Sequence, residues 1–444
     1  MSELNNIHYA LEKGDLVNAG NLLTDYLTQN CNDAEGWTLL ARFCIDTERP
    51  AWAYPIALKA AQDLPNWRTL TMLGAVQSCL QMADDAIKTL KKALKCLPEN
   101  EPESHKAITY RLMASAQVQA YKFDSAEHYA KKALEIEDHY QAHTALAFAY
   151  LHQRKWKEGW KEYTYQLGRN DMRVKHDYGL PEWQGQRGKV LVYGDQGLGD
   201  QIAYMSANTS AHQINCHPKL KNLFQRTFPG AEVYGDMFES DYDWALSSDY
   251  QTSMASAMQW QSMERRGAYL KPHYDKSLQW GHLLAAYGVK PKIGIAWTGG
   301  KPGSDGFRTR NLTLEDLLPI LKLPYTFVSL EYRDRSAEIT AFEDKHKIKI
   351  LDFPWGTQTD DYDDTAALVD CLDAVITVPT TAYHLAGGLG IPACVLVHDQ
   401  PHFHEGTYGP SPWWESVDFI RRPEHDDFVD LAAQWLTENV EVRK

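Results

Sequence analysis

Apolar residues recur at helical spacing through the first third of the chain and then change to short runs. AEGWTLLARF (Ala34–Phe43) and NWRTLTMLGAV (Asn66–Val76) place aromatic and leucine side chains on one face of a helix. ADDAIKTLKKALKCLP (Ala83–Pro98) and FDSAEHYAKKALEIED (Phe123–Asp138) share the pattern A-x6-A-L. KWKEGWKEYTYQL (Lys155–Leu167) repeats it with Gly159 where the preceding copy has Ala126. Such self-similarity predicts roughly five stacked helix pairs up to about residue 168. Beyond Pro181 and the turn-forming stretch Gln184–Gly188, the pattern changes to strands alternating with helices. Strands are predicted at Lys189–Tyr193, Ala231–Tyr234 and Trp244–Leu246. A second series is predicted at Lys292–Trp297, Tyr325–Glu331, Lys347–Phe353, Asp373–Val378 and Ala393–Val397, with helices at Leu314–Leu321, Asp364–Leu372 and Thr381–Gly388. The alternation predicts two parallel, doubly wound sheets in tandem with a cleft between their carboxyl edges.

The helical segments resemble tetratricopeptide (TPR) repeats, with small Ala or Gly where helices approach closely and a period near 34 residues. ENEPESHKAITY, lying between two copies, breaks that period as an insertion. The aromatic and leucine positions are expected to be core between helices. The concave face is expected to bind a protein partner or a second copy of the chain.

Length 444 suits two or three domains. A formal net charge of -14 argues against general affinity for nucleic acid or anionic membranes. Seven cysteines without a CxxC pair fit a reducing compartment better than disulfides or zinc. The N-terminal segment lacks a basic, apolar signal, and no run approaches the ~18 apolar residues of a membrane span. These features predict a cytoplasmic protein.

The candidate chemistry starts at Lys189–Ser206, KVLVYGDQGLGDQIAYMS. A strand leads through Gly194, Gly197 and Gly199 into a helix, with Asp200 at the junction. Backbone N–H groups and a helix N-terminus at the carboxyl end of a strand suit an anion. The spacing matches neither GxGxxG nor a P-loop. Asp200 has two open roles, a base or a cap of the following helix, and Asp195 is a carboxylate close enough in sequence to perturb it.

GDQGLGDQIAY, KIGIAWTGG, RTRNLTLEDLLPIL, FVSLE, DDTAALVDCLDAVITV, PTTAYHLAGGLGIPACVLV and SPWW occur in order. With the repeats, this order resembles bacterial TPR proteins whose C-terminal half is similar to heptosyltransferase-type glycosyltransferases of the GT-B fold. The resemblance implies an N-terminal all-α TPR-like superhelix followed by two Rossmann-like domains facing a cleft. Their expected bounds are 1–170 for the repeats, 185–287 for the acceptor side and 288–444 for the donor side. It implies metal-independent, inverting transfer from a nucleotide sugar, with no cofactor and with the array positioning an acceptor or partner. Asp200 is then the catalytic base, and its glycines Gly197 and Gly199 leave room for the sugar.

On the donor side, Thr380 and Thr381 open a helix suited to a diphosphate, and Pro379 replaces the family's Asp. Arg310, with Arg308 as the less favoured neighbour, would neutralise the leaving group. Trp297, Thr298, Gly299 and Gly300 would shape the pocket, Trp297 being equally suited to core. Glu331 would meet the ribose or base. His384 is either a ligand contact or a buried histidine, and Trp413 and Trp414 either stack on sugar or pack. Asp364 and Thr365 fit a helix cap better than a nucleotide contact. Asp361-Tyr362-Asp363 and Asp241-Tyr242-Asp243 have D-x-D spacing, but a metal role is the minor reading because short acidic runs are common at helix starts and turns. A zinc reading of His398, His402, His404 and Glu405 is minor because no further ligand follows at standard spacing. Pro379 motivates another expectation, a non-catalytic interaction protein with a degenerate transferase-like half. A methyltransferase reading of GDQGLGD would require one sheet, not two.

Overall fold

The computed structural model describes residues 3–169, 173–239, 244, 246–300, 310–422 and 427–441. The chain divides into two compact units, Met1–Gln166 and Leu167–Lys444.

The first unit is a TPR-like helical solenoid. Its helices are α1 (Glu3–Glu12), α2 (Leu16–Gln29), α3 (Ala34–Asp46), α4 (Pro50–Asp63), α5 (Trp67–Cys79), α6 (Ala83–Lys95), α7 (Glu103–Gln119), α8 (Phe123–Leu134), α9 (Tyr140–His152) and α10 (Trp156–Tyr163). Each odd-numbered helix ends in the same way before its partner begins. A left-handed residue stands two positions ahead of the second helix: Gly14, Glu48, Gln81, Tyr121 and Arg154, with φ between 57° and 69°. The next residue's N–H reaches back to a carbonyl five residues earlier, as in Asp15 to Ala10 at 3.0 Å and Arg49 to Cys44 at 2.7 Å. Met82 to Gln77, Lys122 to Gln117 and Lys155 to Tyr150 repeat the bond at 2.8–2.9 Å. This is the Schellman arrangement, which satisfies carbonyls that a helix end leaves bare.

Small residues let the helices of each pair approach. A Cβ on Gly74 would lie 2.5 Å from Leu90, and one on Gly159 would lie 2.7 Å from Leu151. The sequence ENEPESHKAITY does not form a separate loop. Most of it lengthens α7 to 17 residues, against 13 in α5.

The second unit is an α/β region with two parallel sheets. The first contains β1 (Val190–Tyr193), β2 (Gln213–Asn215), β3 (Glu232–Tyr234) and β4 (Tyr250–Ser253), in the order β3-β2-β1-β4. The expected strand at Trp244–Leu246 is corrected: Trp244 is not in a strand but stacks on Tyr234 at 4.1 Å. β2 and β4 escape a hydrophobic reading because their buried residues are polar. Gln213 is satisfied by Glu232 and the Ser247 N–H, Asn215 by Tyr178 and the Asp236 N–H, and Gln251 by the Tyr178 N–H. Buried polar groups persist when bonded in this way.

The second sheet contains β5 (Lys292–Ala296), β6 (Thr326–Ser329), β7 (Ile350–Leu351), β8 (Ala374–Thr377), β9 (Ala393–Val397) and β10 (Val417–Arg421). Its order, β10-β9-β8-β5-β6-β7, grows outward in both directions from the β5/β8 pair. Ile293, Ile295, Phe327, Ile376 and Leu396 form its core with the helix Phe428–Asn439. β10 was not among the expected strands. Its pattern interrupts apolar positions with Asp418 and Arg421. Among the described residues, no helix is long and apolar enough to cross a membrane.

The exposed left-handed Glu48 provides a test of the repeat ends. Glu48→Gly is expected to stabilise the array by about 0.5–1 kcal/mol, because a side chain at positive φ carries a steric cost that glycine lacks. Thermal unfolding of the two forms measures it, with Glu48→Val expected to shift the midpoint the other way.

Candidate functional site

β1 is followed by Gly194, whose N–H donates to the Asn215 carbonyl at 2.7 Å. The helix Leu198–Met205 follows. Gly194, Gly197 and Gly199 are not among the residues with positive φ. They serve close packing. A Cβ on Gly194 would meet the Gln201 amide at 2.8 Å, and one on Gly199 would meet His384 Cδ2 at 3.1 Å and Thr381 Cα at 3.3 Å. The helix Thr381–Leu389 therefore packs directly against the start of Leu198–Met205.

Asp200 lies at that junction. Its Oδ2 accepts the Gly197 N–H at 3.2 Å, and its Oδ1 lies 3.3 Å from His404 Nε2. The same His404 nitrogen is 3.3 Å from the Tyr204 hydroxyl, and the ring stacks on Trp413 at 5.0 Å. Asp200 is thus a helix cap that lies beside a histidine. Asp195 faces elsewhere, its Oδ2 receiving Arg173 Nε at 2.7 Å with both side chains fully buried.

Arg310, Thr380, Thr381, Gly299 and His384 are also brought to this region. Thr380 caps its helix, accepting the Ala382 N–H at 3.2 Å, and its hydroxyl lies 3.2 Å from that of Thr377. A Cβ on Gly299 would meet the Pro379 carbonyl and Thr380 Cγ2, each at 3.1 Å, and Arg310 Cβ at 3.6 Å. His384 Nδ1 accepts the Trp414 indole N–H at 3.2 Å. Burial, helped by His404 and Arg310, pushes the His384 imidazole well below its ordinary pKa. Arg308 lies outside the described residues, as does Asp241-Tyr242-Asp243.

Other expected contacts are already occupied. Glu331 is buried and accepts the N–H groups of Trp297 and Thr298, each at 2.8 Å, plus the Thr298 hydroxyl. Burial raises its pKa. Trp297 is wholly buried in the sheet core and donates to Glu338 at 3.0 Å. Gly300 accepts from Arg333 Nη2 at 2.9 Å. Trp413 and Trp414 have no exposed surface, and a Cβ on Gly387 would sit 2.2 Å from the Trp414 ring. Their role is packing.

The acidic run at 360–364 is an ion-pair clasp. Asp363 pairs with Arg226, Asp364 with Lys276 at 2.8 Å, and Asp361 accepts from Asn222 at 3.1 Å. Among the described residues, no cluster of three or more His, Cys, Asp or Glu could hold a metal. In the histidine-rich loop, Glu405 accepts the Tyr383 hydroxyl at 2.8 Å and the His402 N–H at 3.1 Å. Buried Arg421 fixes that loop by donating to the carbonyls of Glu405 and Gly406. The sequence reading missed Arg173, Tyr383 and Arg421. The arginines stood in or near polar segments, and Tyr383 passed as part of an apolar helix. A cavity of about 510 Å³ lies elsewhere, at the amino-terminal edge of the first sheet near Lys189, His212 and Phe228.

No family model matches this chain, and no curated protein matches it. The TPR-like array resembles solved structures that each correspond to little more than a third of the chain. TTC0263, a TPR protein of Thermus thermophilus, is 21% identical over 36% of this chain and 87% of its own, with a TM-score of 0.33. PilF of Pseudomonas aeruginosa is 17% identical over 37% and 72%, with a TM-score of 0.32. MamA from Desulfovibrio magneticus RS-1 is 18% identical over 36% and 89%, with a TM-score of 0.30. The absence of any matching family model or curated relative corrects the glycosyltransferase expectation. No match backs the heptosyltransferase-type half, and a Cβ at Gly199 would already meet Thr381 and His384. Transfer from a nucleotide sugar is withdrawn with it.

Two measurements test the packed junction. Gly387→Ala is expected to cost about 3 kcal/mol or more and Gly199→Ala about 1–2 kcal/mol in urea unfolding, since extra methyl groups strain a filled core. His384 adds a pH dependence. Its unfolded form takes up a proton near pH 6.5 while the folded form does not, so stability falls as pH drops through that value. The loss approaches about 1.4 kcal/mol per pH unit for each such histidine, and His384→Gln is expected to flatten the slope by one such increment.

Proposed function

We propose that this chain is a non-catalytic interaction protein: the TPR-like array binds a protein partner, and the α/β region is a scaffold. The observation that carries this reading is the direct approach of Thr381 and His384 to Gly199, with Asp200 capping its helix and lying beside His404. A general base must present a lone pair to a substrate hydroxyl, and this carboxylate is turned toward a helix cap and a histidine. The array adds stacked helix pairs, an architecture suited to extended binding surfaces.

Within this reading the chain has three parts, residues 1–170, 185–287 and 288–444, the last two being Rossmann-like halves. The strand orders of the two sheets support that division, because each sheet reverses its direction of growth once, at β1/β4 and at β5/β8. Gly199, Asp200, Thr381 and His384 lie where the two halves meet, with Gly197 and Thr380 capping the helices there. Trp297, Gly299, Arg310 and Glu331 shape the carboxyl edge of the second sheet.

In-cell crosslinking of the full chain, read by mass spectrometry, tests the assignment. Substitution of the exposed array residues Tyr9 and Trp52 by Ser is expected to reduce a defined partner's crosslinks about tenfold, as loss of interface aromatics does. Asp200→Ala is expected to leave those crosslinks unchanged. The reading fails if no partner depends on the array, or if the protein turns over nucleotide sugars in a manner abolished by Asp200→Ala.

A further inference from the structure

The order β3-β2-β1-β4 reverses its direction of growth between β1 and β4. In open parallel sheets, ligands bind outside the carboxyl ends of the strands at such a reversal. Asp195 stands just beyond β1, Ser253 closes β4, and Ser256 lies in the short helix Met254–Ala257 that follows. Their side chains converge on one point, which is taken by Arg173 from the segment preceding β1. Arg173 has no exposed surface. Its Nε donates to Asp195 Oδ2 at 2.7 Å, and its Nη2 donates to Ser253 Oγ at 3.0 Å and Ser256 Oγ at 3.1 Å. The second Asp195 oxygen accepts the Ala255 N–H at 3.3 Å.

The residues after Arg173 are tied down along the same sheet. The Val174 N–H donates to the Asp195 carbonyl at 3.2 Å, and the Tyr178 N–H donates to Gln251 Oε1 at 2.8 Å. The Tyr178 hydroxyl accepts from Asn215 at 2.8 Å. Glu182 pairs in parallel with Gln251, and the Trp183 N–H donates to the Gln251 carbonyl at 2.8 Å. The segment therefore extends the β4 edge after filling the crevice beside it.

We propose that residues 173–183 form a built-in strap over the ligand crevice of the first sheet, with Arg173 acting as a tethered guanidinium ligand of Asp195, Ser253 and Ser256. A carboxylate beside two hydroxyls matches a planar, forked cation better than a compact ammonium. A buried carboxylate without its partner is costly, so the strap stays seated unless another guanidinium replaces it. With Arg173 removed, the crevice accepts small alkylguanidinium ions.

Amide hydrogen exchange on full-length Arg173→Ala, with and without low-millimolar ethylguanidinium, tests the proposal. The amides of residues 195–196 and 253–257 are expected to exchange about tenfold faster than in the parent protein, while those of β5, β6 and the array stay unchanged. Ethylguanidinium is expected to restore protection and ethylammonium is not. Acceleration spread evenly through the α/β region, or no difference between the two cations, overturns the proposal. Arg173→Lys, which keeps the charge without the fork, is the second variant, expected to fold with the same local acceleration. Failure of both variants to fold makes Arg173 an ordinary fold determinant and overturns the strap.

Discussion

The α/β region depends on a close approach between two helix starts, Leu198–Met205 and Thr381–Leu389, that glycine at 199 permits. Each helix start carries partial positive charge, so two of them in contact repel unless an anion intervenes. Asp200 is that anion, in the first turn of one helix and beside the other. The same electrostatics accounts for His384. An imidazolium buried beside Arg310 and two helix starts would add a further cation, and the ring is instead held neutral and used as an acceptor for Trp414. Asp200 and His384 thus belong to one arrangement that closes the junction.

Much of the architecture was legible because it rests on periodic demands. Ala126, Ala133 and Gly159 recur where helices touch, and the left-handed residue at each helix end recurs with spacings of 34, 33, 40 and 33 residues. The second sheet showed itself through strands such as Ala393–Val397, apolar along their whole length. The first sheet was harder to see. Gln213, Asn215 and Gln251 look like loop residues, and only their neighbours reveal that each is bonded within a sheet. Periodicity reports which faces are dry. It does not report which buried amides have found partners.

The candidate residues were a harder case of the same limit. Asp200, Arg310, Thr380, Thr381 and His384 do lie together, as motif order suggested. Residue type alone gives no sign of what a carboxylate faces, and here Asp200 faces the Gly197 N–H and His404. Glycine is equally ambiguous, since the residue that makes room for a ligand also makes room for another helix. Gly387 before buried Trp414 was the clearer signal, because a glycine inside a helix carries a propensity cost that close packing can offset.

The two sheets then share a rule at their carboxyl edges, where open α/β folds ordinarily leave polar groups for a ligand. In the first, Arg173 saturates Asp195 and two serines. In the second, the Glu331 carboxylate takes the N–H groups of Trp297 and Thr298 that β5 leaves bare at its end. Breaking a buried ion pair by removing one partner costs about 3–5 kcal/mol, a large fraction of the ~8 kcal/mol that micromolar binding releases. A ligand entering the first crevice must repay that loss before it gains affinity. The chain's own side chains, tethered and already ordered, hold those places against molecules that must still give up translational freedom to bind.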